Sequence, residues 1–414
     1  MPKPRPQARK ASKAKSTTDT QHRAQSASTS LIDSAPIALQ QLILNIFADR
    51  LVVRPGAAEQ ESGSGAGTTL REQVQAIKSH LFNRDFDSAF ADADPGMLRA
   101  YALRWSAGRA LAYTGIFEYV LRLALNGDQG GRPAGPSSPP AIDIEDLRNR
   151  RVVCIGGGAG AEVVALAAAV RWATGLDKPT ESNLNLSVTA LDVADWQPVI
   201  DELSLGCISE SVHNSNKNSG VSLPLLKAGD LAISFQKQDV LELSEEKLSL
   251  LLSPSTKDVT SANERKGKEG TEDPTTVLIT LMFTLNELFS TSMPAAVAFL
   301  LQLTDVTKPG TVLLVVDSPG SYSTLSLGSK GAGPQGESAG RASEEKKPAR
   351  QYPMRFLLDH TLLTTASGSW ECILSEESQW FRRDRTGLEY NVGEGIGLED
   401  MRYQVHAYRR TTAL

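Results

Sequence analysis

The chain has 414 residues, 40% of them hydrophobic, and a formal net charge of −5. That length holds one large domain with an accessory region, and no apolar run approaches a membrane span or forms a signal peptide. Cys154, Cys207 and Cys372 lie too far apart for a disulfide framework or a zinc site, so no metal is expected and a reducing, intracellular compartment is.

Residues 1–34 read as a disordered basic tail. The first 30 residues hold seven basic groups against one acidic, Asp19, which makes that stretch +6 and leaves −11 on the rest of the chain. With almost no large apolar side chains it cannot build a core. Such a tail suits nucleic-acid contact or nuclear import, or simply solubility.

Residues 35–125 form a helical region. Leu39, Leu42, Ile43, Ile46 and Phe47 fall at helical spacing within 35–51. A Gly/Ser-rich linker occupies 56–67, and 70–82 continues as helix. Asp94-Pro95 is a helix-start signal. It opens a long helix over 97–125, with a break expected near Gly108 or Gly115. Residues 126–140 are a linker rich in Gly and Pro.

From 141 to 414 strands alternate with helices. Strands are predicted at 151–155, 186–191, 230–236, 276–282 and 311–317. Helices are predicted at 159–172, from Asp195, at 242–252, 285–303 and 353–366. This is the pattern of a parallel sheet covered on both faces. Segments 369–381 and 400–410 both alternate like strands, which predicts a closing hairpin with one antiparallel strand at the sheet edge. Inserts at 206–222, 253–274 and 321–350 are rich in Ser, Gly, Asn or charge and read as surface loops without fixed structure.

The most informative stretch is RVVCIGGGAGAE at 151–162. A buried strand runs into a helix through Gly156, Gly157, Gly158 and Gly160. Backbone N–H groups at the positive end of a helix then face a ligand, and glycine permits close approach. The dehydrogenase pattern G-x-G-x-x-G/A can be laid on Gly156, Gly158 and Ala161. The G-x-G-x-G spacing and the closing hairpin fit S-adenosylmethionine (SAM) methyltransferases better, and no residues remain for a dehydrogenase's substrate domain.

Further candidates stand at the carboxyl ends of successive strands, where open α/β sheets bind ligands. Asp192 ends the second strand and can accept the hydroxyls of a ribose; a helix-cap role suits Asp195 better. Asp239 and Val240 follow the third strand, where an acceptor and an apolar side chain can meet an adenine. Asp239 is equally a helix cap. Asn286 and Glu287 follow the fourth strand, with Glu287 as a general base or as a dipole-stabilising residue in a first helical turn. Asp317, Ser318 and Tyr322 follow the fifth and can line a target pocket. Tyr101, Arg104, Trp105 and Arg109 share one broad helical face, able to fold over a cofactor, grip a phosphate or pack. The closing hairpin carries Trp380, Phe381, Arg382, Arg383, Arg385 and Tyr390, a mixture suited to stacking on bases or to a plain solvated loop.

Several longer segments are similar to the fungal 25S ribosomal RNA uridine-N3 methyltransferases. They are YALRWSAGRALAY (101–113), CIGGGAGAE (154–162), TALDVADW (189–196), FTLNELF (283–289), LLVVDSPGSYS (313–323) and LEDMRYQVHAY (398–408). The resemblance covers about residues 35–47 and 90–408. It implies a Rossmann-like class I methyltransferase: a mainly parallel seven-stranded sheet, a C-terminal antiparallel hairpin and an N-terminal helical extension.

The resemblance further implies SAM as cofactor, held by Gly156, Gly157, Gly158, Gly160, Asp192, Asp239, Val240 and Arg109. Asn286, Glu287, Asp317 and Tyr322 become the catalytic candidates. The substrate becomes ribosomal RNA within a pre-60S particle, with methylation at uridine N3, in the nucleus or nucleolus with the cytoplasm as a second compartment. Other readings are methylation of a protein or small molecule, or a SAM-binding assembly factor without chemistry. Cys154 stands where many methyltransferases carry an acid. No Asn/Asp-Pro-Pro-aromatic tetrad follows the fourth strand, which disfavours exocyclic amino groups. No cysteine has the Pro-Cys context of carbon-5 methylation.

Overall fold

The computed structural model describes residues 32–53, 69–125, 142–175, 184–215, 218–253, 274–320, 322–325 and 350–412. The tail to residue 31, the two linkers and most of the inserts 253–274 and 321–350 lie outside the described residues.

Helix α1 (Ile37–Leu51) buries most of its apolar side chains. Helix α2 (Leu70–Phe82) begins at a capping box, in which Glu72 N–H donates to Thr69 Oγ1 at 3.3 Å and Thr69 N–H donates to Glu72 Oε2 at 2.8 Å. A π-helical turn follows at Asp87–Ala91. Asp94 then caps α3 (Pro95–Tyr101), with proline in its first turn. The break expected in the next long helix falls at neither glycine. A π-helical turn at Ala102–Ser106 separates α3 from α4 (Ala107–Leu125). Gly108 and Gly115 lie inside the continuous α4. Gly115 serves packing: a Cβ there would stand 2.2 Å from the Asp33 carbonyl.

After the short α5 (Ile144–Leu147), β1 (Arg150–Ile155) leads into α6 (Ala161–Ala173), β2 (Leu186–Asp192) and α7 (Gln197–Ile208). The stretch 206–222, expected as a loop, instead finishes α7 and forms the hairpin β3 (Ser211–Ser215) and β4 (Asn218–Ser222). Next come β5 (Leu231–Lys237), α8 (Glu245–Leu252) and β6 (Thr275–Met282). The single helix expected at 285–303 is two, α9 (Leu285–Thr291) and α10 (Met293–Val306). Ser292 divides them by capping α10, accepting from Ala295 N–H at 3.3 Å ahead of Pro294.

Strand β7 (Val312–Asp317) follows. The insert 321–350 is not wholly irregular either, since β8 (Tyr322–Leu325) pairs with β9 (Arg350–Pro353). Helix α11 (Met354–Asp359) continues as a π-helical turn to Thr365, and β10 (Trp370–Phe381) and β11 (Met401–Arg410) close the chain.

Seven strands form one sheet in the order β10-β11-β7-β6-β1-β2-β5. Strands β5, β2, β1, β6 and β7 are mutually parallel, whereas β11 is antiparallel to both β7 and β10. The single antiparallel strand is therefore one place in from the edge, inserted between β7 and β10, and not at the edge itself. Helices α1, α4, α6 and α7 pack on one face and α8, α10 and α11 on the other, each face with its own apolar cluster. The N-terminal helices share the first of these clusters with β1, β2 and α6, because α4 is buried around most of its circumference.

Gly115→Ala tests that union. The new methyl group meets backbone, which cannot rotate away, so stability should fall by about 1–3 kcal/mol. A thermal melt reads it; an unchanged melt would show that α4 sits loosely on the 32–33 segment.

Candidate functional site

A cavity of about 250 Å³ opens at the carboxyl ends of β1, β2, β5 and β6, where the topology of an open α/β sheet places ligands. Gly156 and Ala159 from the glycine loop form its floor, with Asp192 and Trp196 after β2. Gln238, Asp239, Val240 and Leu241 form the wall after β5. Phe283, Thr284 and Glu287 stand after β6. The roof comes from the N-terminal helices: Phe86, Phe90, Tyr101 and Arg109.

Of the glycines, Gly156 lines the cavity. Gly156 and Gly160 adopt positive φ, +76° and +80°, as glycine readily does. The crowding around the loop comes from protein. A Cβ at Gly156 would stand 2.2 Å from Thr284 Oγ1, at Gly158 2.1 Å from Trp196 Cδ1, and at Gly160 2.3 Å from Leu203. A Cβ at Gly157 would meet Glu162 Oε2 at 2.6 Å. These glycines let the loop seat between β2 and β6.

The Asp192 carboxylate locks that seat. Its Oδ2 accepts from Gly158 N–H at 3.1 Å and its Oδ1 from Ala194 N–H at 3.2 Å. Burial raises its pKa, and the backbone N–H groups of Ala194 and Gly158 offset that only in part. The carboxylate also lines the cavity, where a ligand hydroxyl could donate to it. Asp239 lines the cavity and caps the 3₁₀ turn Val240–Glu242, its Oδ1 accepting from Leu241 N–H at 2.9 Å.

Arg109 Nη1 donates to Tyr101 Oη at 2.8 Å, and the guanidinium lies 4.8 Å from the centre of the Phe283 ring. Among the described residues it makes no salt bridge, so a cation held by aromatic rings faces the cavity. Phe283 adopts φ +59° at the end of β6, a conformation a bulky side chain rarely takes. Arg104 and Trp105 leave this face. Arg104 turns to pair with Glu399, and Trp105 packs on Tyr101 with ring centres 4.9 Å apart. Arg109 and Tyr101 are what remains of the expected broad face.

Glu287 is pushed up to about 7 by burial, lowered by Arg109 and raised further by Asp317 and Asp192. Asn286 and Asp317 lie outside the cavity lining. Asn286 N–H donates to Asp317 Oδ2 at 3.1 Å, and Ser318 N–H donates to Asp317 Oδ1 at 2.7 Å. Asp317 thus caps α9 from the next strand. The Asn286 Oδ1 atom is buried with no donor among the described residues. The backbone of Tyr322 opens β8 opposite Pro353, while its side chain lies outside the described residues. Among those residues no cluster of His, Cys, Asp and Glu can hold a metal, and no helix is long and apolar enough to cross a membrane.

Sequence reasoning passed over Trp196, Phe283, the Phe86/Phe90 roof and Glu162. Glu162 is buried in the first turn of α6 and accepts from Thr280 Oγ1 at 2.5 Å. It lies beside Cys154, the position that lacks the customary acid. An acidic residue in a first turn, one place after an Ala-Gly-Ala run, was its available signal.

A sheet of this order, with a glycine loop after its first strand and a cavity between strand ends and helical roof, defines a class I SAM-dependent methyltransferase. The chain belongs to the family described as "Putative SAM-dependent methyltransferase", whose pattern matches residues 57–409. It is 28% identical over 356 residues to the 25S rRNA (uridine(2843)-N(3))-methyltransferase of Saccharomyces cerevisiae, covering 82% of this chain and 78% of that protein. Similar solved structures include an O-methyltransferase family protein from Burkholderia thailandensis, at 10% identity and TM-score 0.33, covering 90% of this chain and 83% of that one. Another is a SAM-dependent methyltransferase from Clostridium acetobutylicum, at 10% identity and TM-score 0.31, covering 81% and 100%. The cofactor is SAM, and the donor set suits it. Asp192 and Asp239 line the cavity with carboxylates able to accept from hydroxyl and amino groups, acidic side chains complement a sulfonium, and Arg109 supplies a cation able to meet a carboxylate.

Two outcomes are expected here. Gly158→Ala drives a methyl group into Trp196 and the Asp192 Cβ, so calorimetry should show SAM affinity reduced by at least about tenfold, or about 1.4 kcal/mol. Undiminished affinity in the folded variant would dissociate the loop from cofactor binding. Burial pushes Glu162 up to about 8. A carboxyl raised on folding binds more protons folded than unfolded, so its contribution to stability is lost as pH climbs from the ordinary carboxylate range through about 8. Melts across that window should show the decline, and Glu162→Gln should flatten it.

Proposed function

We propose that this chain methylates a uridine at N3 in large-subunit ribosomal RNA. The observation that carries the reading is Glu287, the carboxyl that lines the cavity beyond the end of β6, with its pKa lifted to about 7 by burial. A uridine N3 is an imide that must lose its proton before it can attack, and a base tuned near neutrality is matched to that transfer. The name of the yeast relative supplies the same substrate and atom, and the absence of an Asn/Asp-Pro-Pro-aromatic tetrad after β6 argues against an exocyclic amine.

In this reading Asp192 and Asp239 take the ribose and adenine, Val240 packs on the adenine ring, and Arg109 takes the methionyl carboxylate. Gly156 and its neighbouring glycines shape the floor. Bound SAM supplies an electrophilic methyl group on a sulfonium. Glu287 takes the N3 proton, and Asp317 positions it by capping the helix that carries it. Asn286 presents its buried Oδ1 beside the same helix start. The roof of Phe86, Phe90 and Tyr101 excludes water and orients the reactants. Tyr322 remains a candidate for the target pocket. In this reading the basic tail serves RNA contact or nuclear import, and the enzyme acts on pre-60S particles in the nucleus or nucleolus, with the cytoplasm as a second compartment.

Mass analysis of nucleosides from large-subunit RNA, with and without the gene, identifies the product; loss of 3-methyluridine is expected, and an unchanged profile would sink the substrate. The base has its own test. Single-turnover methylation should speed up as pH rises through about 7, because the ionised carboxylate is the active form. Glu287→Gln should bind SAM normally, turn over about 10²–10⁴-fold more slowly and lose that inflection. Normal turnover would leave Glu287 as a first-turn residue of α9.

A further inference from the structure

Strand β10 ends and β11 begins at the same edge of the sheet as the cofactor cavity, since Gln404 of β11 stands opposite Asp317, the last residue of β7. Trp380 pairs with Arg402, two residues further out, roughly 7 Å beyond the end of β7. Three strand spacings, about 14 Å, separate β10 from β6, which leads into Glu287. A few nucleotides of an extended strand bridge that gap.

Trp380 is 43% exposed, on the face of β10 opposite to the buried Phe381. The Arg382 guanidinium lies 3.7 Å from its ring centre and that of Arg402 5.7 Å. Both arginines are held in place. Arg402 Nε donates to Ser378 Oγ at 3.1 Å, and Arg382 Nη1 donates to Asp400 Oδ2 at 3.0 Å. Asp400 also faces Arg383 at 4.0 Å and Arg385 at 3.5 Å. One carboxylate thus answers three guanidiniums, and those of Arg382 and Arg385 are 62% and 73% exposed. Nearby Glu399 and Glu394 are taken up by Arg104 and Arg71 of the N-terminal helices. Phe381 is core and Tyr390 donates to the Leu103 carbonyl at 2.8 Å, so neither belongs to this surface.

We propose that Trp380, Arg382, Arg385 and Arg402 form a landing surface for single-stranded RNA flanking the target nucleotide. Trp380 stacks on a base, and the arginines take phosphates and extend the stack. The proposal rests on the RNA reading above. Two features favour RNA over an acidic protein: an exposed indole already flanked by planar guanidiniums, and a position at the sheet edge that carries the cofactor cavity.

The test uses the full-length protein and a short uridine-containing single-stranded RNA, with fluorescence anisotropy for RNA and calorimetry for SAM. Trp380→Ala should weaken RNA binding roughly 5- to 150-fold, Trp380→Phe should keep most of it, and SAM affinity should not move. Arg382→Ala and Arg385→Ala should each lower the slope of log affinity against log salt by about one. At saturating RNA, Trp380→Ala should turn over at the normal rate with a raised KM. No RNA binding by the wild-type chain overturns both the RNA reading and this surface. RNA binding that Trp380→Ala leaves intact overturns the surface alone, as does an equal loss of binding to polyglutamate and to RNA, which would mark an acidic-protein site.

Discussion

The bond from Gly158 N–H to the Asp192 carboxylate is the constraint from which the site is built. It ties the loop after β1 to the end of β2, and Trp196 closes over the glycine so tightly that no side chain fits. With that loop fixed, Gly156 can lie against Thr284 at the end of β6, which brings three strand ends into one floor. The carboxylate also lines the cavity. The same group therefore shapes the pocket and faces what fills it, and its desolvation is offset only in part by backbone donors.

The N-terminal helices are the other half of the site. They share one apolar cluster with β1, β2 and α6, so the roof is part of the core and not an attached module. The π-helical turn at Ala102–Ser106 divides the helical face. Tyr101 and Arg109 stay over the cavity, while Arg104 turns to Glu399. That division also joins the roof to the closing hairpin, since Tyr390 and Glu399 both reach this turn. A line of polar contacts thus runs from the helices over the cofactor cavity to the closing hairpin.

Short apolar runs bounded by glycine or proline made the five parallel strands and the glycine loop legible, because a buried strand has few other ways to be written. Asp192 and Asp239 were legible by position at strand ends. The π turns were not, since no residue type marks them, and neither Gly108 nor Gly115 breaks its helix, Gly115 serving close packing instead. The inner place of β11 was invisible because strand order depends on non-local pairing. Arg109 could be picked from its motif, yet its aromatic seat on Phe283 depends on a backbone angle that sequence does not announce. Asp317 looked catalytic from its strand end, but its carboxylate goes to the backbone of α9 and the following turn.

Phe283 holds its strain in place with its own ring. Its left-handed backbone costs on the order of 1–3 kcal/mol relative to a relaxed residue, while its ring lies against Arg109 of the cavity lining, stacks on Tyr113 with centres 6.4 Å apart and packs on the core. Glycine or asparagine there would relieve the backbone but give up all three contacts at one stroke. Core packing therefore underwrites the backbone angle that carries the cation, and loosening the core beneath this residue would reach the cofactor cavity without touching any cavity side chain.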